Sequence, residues 1–313
     1  FKSEYMKDLK KQLVNDEKYP AFQQIDRLEK IVDGISNRNN AVFIIINILI
    51  LWDYQCMISL ERWKKKSGIH IKSWLDTIGE VEALSSLSII RHDNPEWAMP
   101  EIVQKSSQLR AKEMGHPLLT SNRVCNDLRI DHPTKILLIT GSNMSGKSTL
   151  LRTAGINLLL AYIGAPACAK TFSASFMSIQ TCMRVSDNLE KSISSFYAEL
   201  LRIKEIVKET SDKQVFFLLD EIFKGTNSED RHEGAKILIN KLLRDNAVGL
   251  VSTHDLELGV LEKDSNKKIA NYHFQEYYKD NEIQFDYKLR PGVSTTRNAL
   301  YLIKMIGIDD KTI

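Results

Sequence analysis

The sequence predicts an α/β fold in which a mostly parallel or mixed sheet is flanked by helices and preceded by a mainly helical module. Near-continuous apolar runs at 136–139, 215–219 and 248–251 have the length and composition of parallel strands that are buried on both faces. A glycine-rich segment at 141–149 separates the first run from a helix-like stretch. Because open α/β sheets bind ligands at the carboxyl ends of their strands, the residues that follow each run are the candidate site.

The first run leads into a sequence with the G-x-x-x-x-G-K-[ST] spacing of a phosphate-binding loop. Gly141 and Gly146 permit backbone angles at which successive N–H groups point at phosphate oxygens, and the following helix presents its positive end to them. We expect Lys147 to bridge the outer phosphates of a nucleoside triphosphate and Ser148 to bind its Mg²⁺. The residues predicted to bind the nucleotide are Gly141, Ser142, Asn143, Met144, Ser145, Gly146, Lys147, Ser148 and Thr149.

The second run ends in two carboxylates, Asp220 and Glu221. A buried parallel strand delivers such residues to the ligand-binding edge of the sheet. We therefore expect Asp220 to reach the Mg²⁺ shell and Glu221 to orient or deprotonate an attacking water.

The third run leads to His254. A histidine at this edge can donate a hydrogen bond to the γ-phosphate or to the attacking water, which predicts a sensor of the nucleotide state. The guanine-reading motif N-K-x-D is missing, since the nearest match, 266–269, ends in isoleucine instead of aspartate. ATP is therefore favoured over GTP as the ligand.

Together these motifs resemble those of MutS-type DNA mismatch repair ATPases. The phosphate loop has Asn-Met at its centre, 220–230 reads Asp-Glu-Ile-Phe-Lys-Gly-Thr-Asn-Ser-Glu-Asp, and 252–254 reads Ser-Thr-His. The segments 287–294 and 306–308 are similar to the family's C-terminal tail. The resemblance extends from roughly 112 to 309 and rests on several motifs in the family's order.

The resemblance implies a P-loop, ABC-class ATPase in which two nucleotide domains sandwich two ATP molecules, and therefore a homodimer formed through the ATPase domain. It also implies that Asp230, in the turn after the acidic strand, helps to join the sites of the two subunits. His273 and Val124 resemble positions that border the base. For these two residues, ordinary surface packing remains an alternative.

The segment 192–199, Ser-Ile-Ser-Ser-Phe-Tyr-Ala-Glu, is similar to the family's signature segment. Apolar spacing predicts a helix over 196–209, so Ser194 stands where a hydroxyl and the helix dipole can face a phosphate. By resemblance, that phosphate belongs to the partner subunit, and Ser194 acts in trans. Ser192 departs from the glycine that is usual in the family. A plain serine N-cap on an amphipathic helix therefore remains an alternative.

Composition is compatible with these predictions and decides little. A net charge of +3 over 313 residues neither requires nor rules out nucleic acid, because affinity depends on clustered Lys and Arg. The four cysteines are far apart and contain no C-x-x-C pair, which indicates reduced thiols in the cytoplasm. The chain starts at Phe1, so we expect it to be part of a longer protein.

The first third of the chain differs from the rest, since helical apolar spacing recurs there and neither strand alternation nor a glycine-rich loop precedes Gly141. We predict a helical core or lever module at 1–95 and the MutS-like ATPase domain at 96–313. The apolar stretch 41–52 is about 18 Å long as a helix, short of the roughly 30 Å of a bilayer core. Packing in a core and a membrane-proximal place in the parent protein both remain open.

A basic cluster offers phosphate contacts to double-stranded DNA, with Trp63 as a surface on which a base can stack. Its members are Arg62, Lys64, Lys65, Lys66 and Lys72. A solvated helix end is the alternative interpretation. No segment of this chain resembles the mismatch-reading domain of the repair enzymes, so mismatch reading by these residues is not expected.

The leading functional hypothesis is an ATPase that dimerises around ATP and couples hydrolysis to conformational change, in DNA binding or in DNA repair and recombination. Glu221 orients the water, while Lys147, Mg²⁺, His254 and the partner's Ser194 offset charge. Two alternatives stay open. One is a nucleotide-gated clamp that hydrolyses ATP too slowly for turnover to matter, and the other is a membrane-associated ATPase unrelated to mismatch repair.

Overall fold

The computed structural model describes residues 3–14, 20–36, 47–104, 106–120, 122–183, 195–245, 247–279 and 282–294. The contacts between residues divide the chain into two compact units, Phe1–Ile89 and Ile90–Ile313. The predicted assignment of 1–95 to a core or lever module and of 96–313 to an ATPase domain stays a prediction.

The described part of the first unit is helical. Its elements are α1 (Glu4–Leu13), α2 (Ala21–Ser36), α3 (Trp52–Ser67), a 3₁₀ turn (Gly68–His70) and α4 (Ile71–Asp93), which continues past the end of the unit. Side-chain hydrogen bonds join α2 to α3: the Trp63 indole N–H donates to the carbonyl of Gln24 at 2.7 Å, and Trp52 donates to the carbonyl of Gly34 at 2.9 Å. These indoles bury an apolar ring and satisfy their polar atom at the same contact.

The apolar stretch 41–52 is only partly described, because 41–46 lie outside the described residues. Ile48 and Leu49 are about three-quarters exposed, at 73% and 75%, so this portion does not lie in a core. Leu51 has a φ of 50°, which interrupts the helix just before α3 begins. Within the described residues, no helix has the length and apolar character that crossing a membrane requires.

The expectation that Trp63 offers a stacking surface for nucleic acid is wrong. Its side chain is only 7% exposed, and its N–H is bonded within the helical unit. The physical reason is that the apolar ring gains more from burial against α2 than from exposure beside the charged residues that follow it.

The described part of the second unit contains two sheets. The six-stranded sheet has the order β10-β9-β4-β8-β7-β6, in which only β10 runs antiparallel to its neighbour. Its strands are β4 (Ile136–Thr140), β6 (Ser178–Cys182), β7 (Val215–Asp220), β8 (Val248–Thr253), β9 (Ile269–Lys279) and β10 (Glu282–Pro291).

The four-stranded sheet has the order β1-β5-β2-β3 and is also mixed. Its strands are β1 (Glu101–Val103), β2 (Leu109–Met114), β3 (Asn126–Ile130) and β5 (Thr171–Ser175).

Helices connect and cover the central strands. They are α5 (Lys147–Tyr162), α6 (Ser195–Glu209), α7 (Ser228–Arg244) and the short α8 (Leu261–Asp264), which follows a 3₁₀ turn (Glu257–Val260). The prediction of an α/β fold with mixed sheets flanked by helices is confirmed, as are the three predicted strands and the helix predicted over 196–209.

The two faces of the central strands pack into two separate cores. Leu137 and Ile139 of β4 belong to the core that includes α5 and the four-stranded sheet. Ile136 and Leu138 belong to the core that includes α6 and α7. Because side chains alternate between faces and both faces are covered, the strand reads as an unbroken apolar run in the sequence.

The sequence shows no strand alternation before Gly141 and predicts only the strand at 136–139 there, yet β1, β2 and β3 precede that strand in the structure. These strands are three to six residues long, and β2 is irregular between Ala111 and Met114, where Glu113 has a φ of 48°. The irregularity breaks the two-residue alternation, so the sequence pattern is too short to detect.

Candidate functional site

A cavity of about 960 Å³ lies at the carboxyl ends of β4 and β7. The phosphate loop forms one wall, through residues that include Ser145, Lys147 and Ser148, while Asp220 and Glu221 approach from β7. Parallel strands end at a common edge, which is why motifs that are far apart in the sequence meet here. The cavity exceeds the 300 Å³ or so that small-molecule sites need at the least.

The loop backbone has the conformation that its glycines predict. Gly141 and Gly146 have φ values of 146° and 105°, in the region that disfavours residues with a side chain. A Cβ at Gly141 would lie 2.8 Å from the hydroxyl oxygen of Ser145 and 3.2 Å from the carbonyl oxygen of Phe274. The loop opens into α5, whose first residue is Lys147, so the positive end of the helix faces the cavity.

Lys147 folds back over the loop. Its ammonium donates to the carbonyls of Gly141 and Ser142 at 3.0 and 2.8 Å, and it lies 3.6 Å from Oε1 of Glu221. Burial lowers the pKa of Lys147, while Glu221 and Asp220 act to raise it. The Lys147 side chain is 4% exposed, so its ammonium is a largely desolvated cation that can bind an anion.

Glu221 stands at the centre of three basic side chains. Its Oε1 lies 2.7 Å from Nε2 of His254, its other oxygen forms an ion pair with Lys224, and Lys147 is the third neighbour. The hydrogen bond from His254 is the largest influence on Glu221, and together with Lys224 it holds the pKa of this carboxyl well below its usual range. The carboxylate is therefore ionised at neutral pH.

His254 joins the third strand to the phosphate loop. Besides its contact with Glu221, its Nε2 lies 3.0 Å from the amide oxygen of Asn143. Because both neighbours are acceptors, Nε2 carries the proton. The structure thus brings a donor from β8, a carboxylate from β7 and an amide from the loop to one point.

Asp220 is oriented by the next strand. The hydroxyl of Ser252, which is fully buried on β8, donates to Oδ1 of Asp220. Asp220 and Ser148, the two residues predicted to bind Mg²⁺, both line the cavity.

The remaining predicted residues fall into three groups. Val124 lines the cavity. His273 lies on β9 with its Nδ1 3.0 Å from the carbonyl oxygen of Gly292, and Asp230 lies in the first turn of α7, where its carboxylate accepts from the side chain of Asn227 at 2.7 Å. Neither is among the described residues that line the cavity. Ser194 and the segment 306–308 lie outside the described residues.

Sequence reasoning assigned no role to several residues of the cavity wall. Tyr287 lies in an irregular part of β10 with a φ of 54°, and Asn126 donates to its carbonyl at 2.9 Å. A Cβ on Gly146 would lie 3.2 Å from the Tyr287 ring, which shows how closely this ring approaches the loop. Lys224 and Glu199 also line the cavity. All three residues lie in segments that resemble family motifs, Glu199 in 192–199, Lys224 in 220–230 and Tyr287 in 287–294, but the resemblance gave none of them an individual role.

Comparison with known proteins agrees with this geometry. The family described as MutS domain V matches residues 137–313. The DNA mismatch repair protein MSH3 of Meyerozyma guilliermondii is 30% identical over 251 residues, which is 75% of this chain and 26% of that protein. The DNA mismatch repair protein MutS of Aquifex pyrophilus is 28% identical over 306 residues, 96% of this chain and 34% of the relative. The MutS of Methanosarcina acetivorans is 26% identical over 83% of this chain and 30% of its own length.

The chain therefore spans about a quarter to a third of the curated relatives that it matches. The family match covers the phosphate loop, the acidic strand end and the strand that leads to His254, which are the elements that build the cavity. On this match over more than half of its length, the chain belongs to the MutS family.

Proposed function

We propose that this chain binds ATP with Mg²⁺ and hydrolyses it, as an ABC-class P-loop ATPase. The observation that carries the proposal is the convergence of Lys147, Asp220 and Glu221 on one cavity, with His254 in contact with Glu221. A buried cation, an ionised carboxylate and a protonated imidazole nitrogen are the groups that phosphoryl transfer to water requires.

The residues present fit a triphosphate and its metal ion. Among the described residues, the buried hydroxyl of Ser145 has no hydrogen-bond partner, and it lies so close to Gly141 that a Cβ there would be 2.8 Å from it. An unsatisfied buried donor beside a helix N-terminus is the arrangement that an anion completes. Ser148 and Asp220 would hold Mg²⁺, which supplies neutralisation of the phosphate charge when bound.

The chain's own groups divide the work of hydrolysis. Glu221, kept ionised by its cationic neighbours, orients a water molecule and accepts its proton. His254 holds Glu221 and senses the state of the loop through Asn143. Lys147 leaves the loop carbonyls to bind the outer phosphates, since a phosphate oxygen offers it a charged acceptor in place of neutral ones. Most of the rate comes from positioning and electrostatics.

We further propose a homodimer in which the partner's Ser194 completes each ATP site and Asp230 joins the two sites. Closing on ATP and opening after hydrolysis would then move the attached helical unit. The relatives named above are DNA mismatch repair proteins, which supports a role in DNA binding and in DNA repair or recombination, with double-stranded DNA as partner. Val124 and His273 remain the proposed neighbours of the base.

Sedimentation of the chain and of its Glu221→Gln variant, with and without Mg-ATP and alongside phosphate release, tests this function. We expect turnover in the wild type, and an ATP-dependent dimer that persists in the variant because hydrolysis no longer opens it. A chain that stays monomeric and releases no phosphate would contradict the proposal. A dimer that forms with ATP and has equally slow turnover in both proteins would instead indicate a nucleotide-gated clamp.

A further inference from the structure

The turn that follows β7 has an unusual backbone. Glu221 and Phe223 have φ values of 52° and 61°, a left-handed conformation that costs free energy for residues with a side chain. Two such residues in one turn persist only where the surroundings hold them, so the position of the Glu221 carboxylate depends on contacts elsewhere.

Helix α6 supplies the contacts. The backbone N–H of Phe223 donates to Oε1 of Glu199 at 2.6 Å. The rings of Phe196 and Phe223 meet edge to face with their centroids 6.5 Å apart. A Cβ on Gly225 would lie 2.6 Å from Cβ of Phe196, so the turn and the helix are in close contact at this glycine as well.

The Glu199 contact is a strong one. Phe223 is buried, with 7% of its surface exposed, so its N–H would be costly to leave without an acceptor. Burial raises the pKa of Glu199, against the opposing effects of the Phe223 N–H and of Lys224. The Glu199 side chain also lines the same cavity as Asp220 and Glu221.

We propose that Glu199 is a positioning residue that fixes the turn carrying Glu221 and couples this turn to the start of α6. The proposal rests on the proposed ATPase function, in which Glu221 orients the water. Glu199 lies about one helical turn after the first residue of α6, Ser195. Ser195 and Glu199 both belong to the segment 192–199 that is similar to the family's signature, so a shift of this end of the helix on contact with the partner's nucleotide reaches Glu221 through Glu199.

The test compares Glu199→Ala with Glu199→Gln, because the glutamine side chain keeps an oxygen that can accept from Phe223 while it removes the charge. We expect kcat for ATP to fall about 100-fold in the alanine variant, since a misplacement of about 1 Å costs this much. ATP affinity should stay within about twofold, because the phosphate loop is untouched. Glutamine should restore most of kcat.

A second readout does not depend on turnover. Amide hydrogen exchange at Phe223 should accelerate about 10-fold or more in Glu199→Ala and stay slow in Glu199→Gln. Glu205→Ala is the matched control, because Glu205 lies on the same helix, is 69% exposed and pairs with Arg202 at 3.0 Å. It should change neither kcat nor the exchange at Phe223.

Three outcomes would overturn the proposal: an alanine variant with unchanged kcat, a glutamine variant as impaired as alanine, or unchanged exchange at Phe223. A wild-type chain that does not hydrolyse ATP contradicts the proposed function instead. In that case the exchange rates of the variants still decide whether Glu199 holds the turn.

Discussion

The middle of the central strands and their carboxyl ends differ sharply although only a few residues separate them. In the middle, Ile136–Ile139 of β4 and Phe216 and Phe217 of β7 are fully buried and apolar. At the ends stand a left-handed glycine, a left-handed glutamate and a buried lysine. The middle lowers the free energy of the folded state, while the ends hold strained and charged groups that the packed middle must support.

The comparison teaches where each kind of substitution should act. A change at the strand ends should alter chemistry and leave most of the stability intact. A change in the middle should do the reverse, because the cores on both faces are packed against the strands and leave little room for added atoms.

The largest expected effect is at the end of β4. Lys147→Ala should lower ATP turnover by at least about 1000-fold, because it removes the buried cation that faces the developing phosphate charge. Its urea midpoint should move little. Phosphate release and urea denaturation measure both quantities, and Lys213→Ala is the control, since Lys213 is 64% exposed and pairs with Glu209 at 2.8 Å. If Lys147→Ala keeps its ATP turnover, the expected difference between the ends and the middle of the central strands would be wrong.

The next largest effect is in the middle. A Cβ at Gly249 of β8 would lie 2.1 Å from the carbonyl oxygen of Phe217, so Gly249→Ala must force β7 and β8 apart. We expect the free energy of unfolding to fall by about 3 kcal/mol. Gly79→Ala is the control, because among the described residues its Cβ would have no atom within 4 Å beyond its own helix backbone, and helix propensity predicts a gain of about 1 kcal/mol. Equal urea midpoints for the two variants would show that the middle tolerates expansion.

A smaller effect should follow from the support of Asp220. Ser252→Ala removes the hydroxyl that donates to this carboxylate. We expect the Mg²⁺ concentration for half-maximal turnover to rise about 10-fold, since the loss of a partner that orients a metal ligand costs that much affinity. A Mg²⁺ titration of phosphate release measures the change, and saturating Mg²⁺ should restore most of the rate. A rate loss that no Mg²⁺ concentration repairs would point to a different role for Ser252.

The smallest expected effect concerns β10, which carries Tyr287 to the cavity. The hydrogen bond from Arg290 lowers the pKa of Asp286 from 3.8 to about 2. Because the pKa of Asp286 is lower in the folded than in the unfolded chain, its ionised carboxylate stabilises the fold at pH values above the unfolded-state pKa. This contribution to stability is lost as the pH falls from about 4 to 2. Because the pair is about one-third exposed, Asp286→Asn should cost only about 1 kcal/mol at pH 7.

The test is urea denaturation of the wild type and Asp286→Asn between pH 7 and pH 3. The difference in unfolding free energy should be constant down to about pH 5 and should shrink by about half at pH 3. A difference that does not change with pH would mean that Asp286 acts through packing or neutral hydrogen bonds. The polar end of the sheet would then resemble the middle of the strands, because its stabilising contacts would not depend on charge.

Much of the site followed from local sequence. The phosphate loop was predictable because its glycine and lysine spacing is a contiguous pattern, and Asp220 and Glu221 because they close an apolar run. The positions of Asp230 and His273 relative to the cavity were not predictable. A resemblance gives the order of motifs along the chain, but it does not say where each side chain lies in the folded structure. Asp230 lies in the first turn of α7 and accepts a hydrogen bond from the N-cap residue Asn227, while His273 contacts Gly292.

The sequence by itself determined three of the parallel strands, β4, β7 and β8, together with the phosphate loop and the acidic strand end, because hydrophobic runs and short-range spacing encode them. Only the tertiary structure decided which basic side chains surround Glu221, that Tyr287 lies against the loop, and that Glu199 reaches Phe223. These features depend on left-handed turns at residues other than glycine and on contacts between distant elements. Such conformations are unfavourable locally and exist because the packed strands and helices around them hold the chain in place.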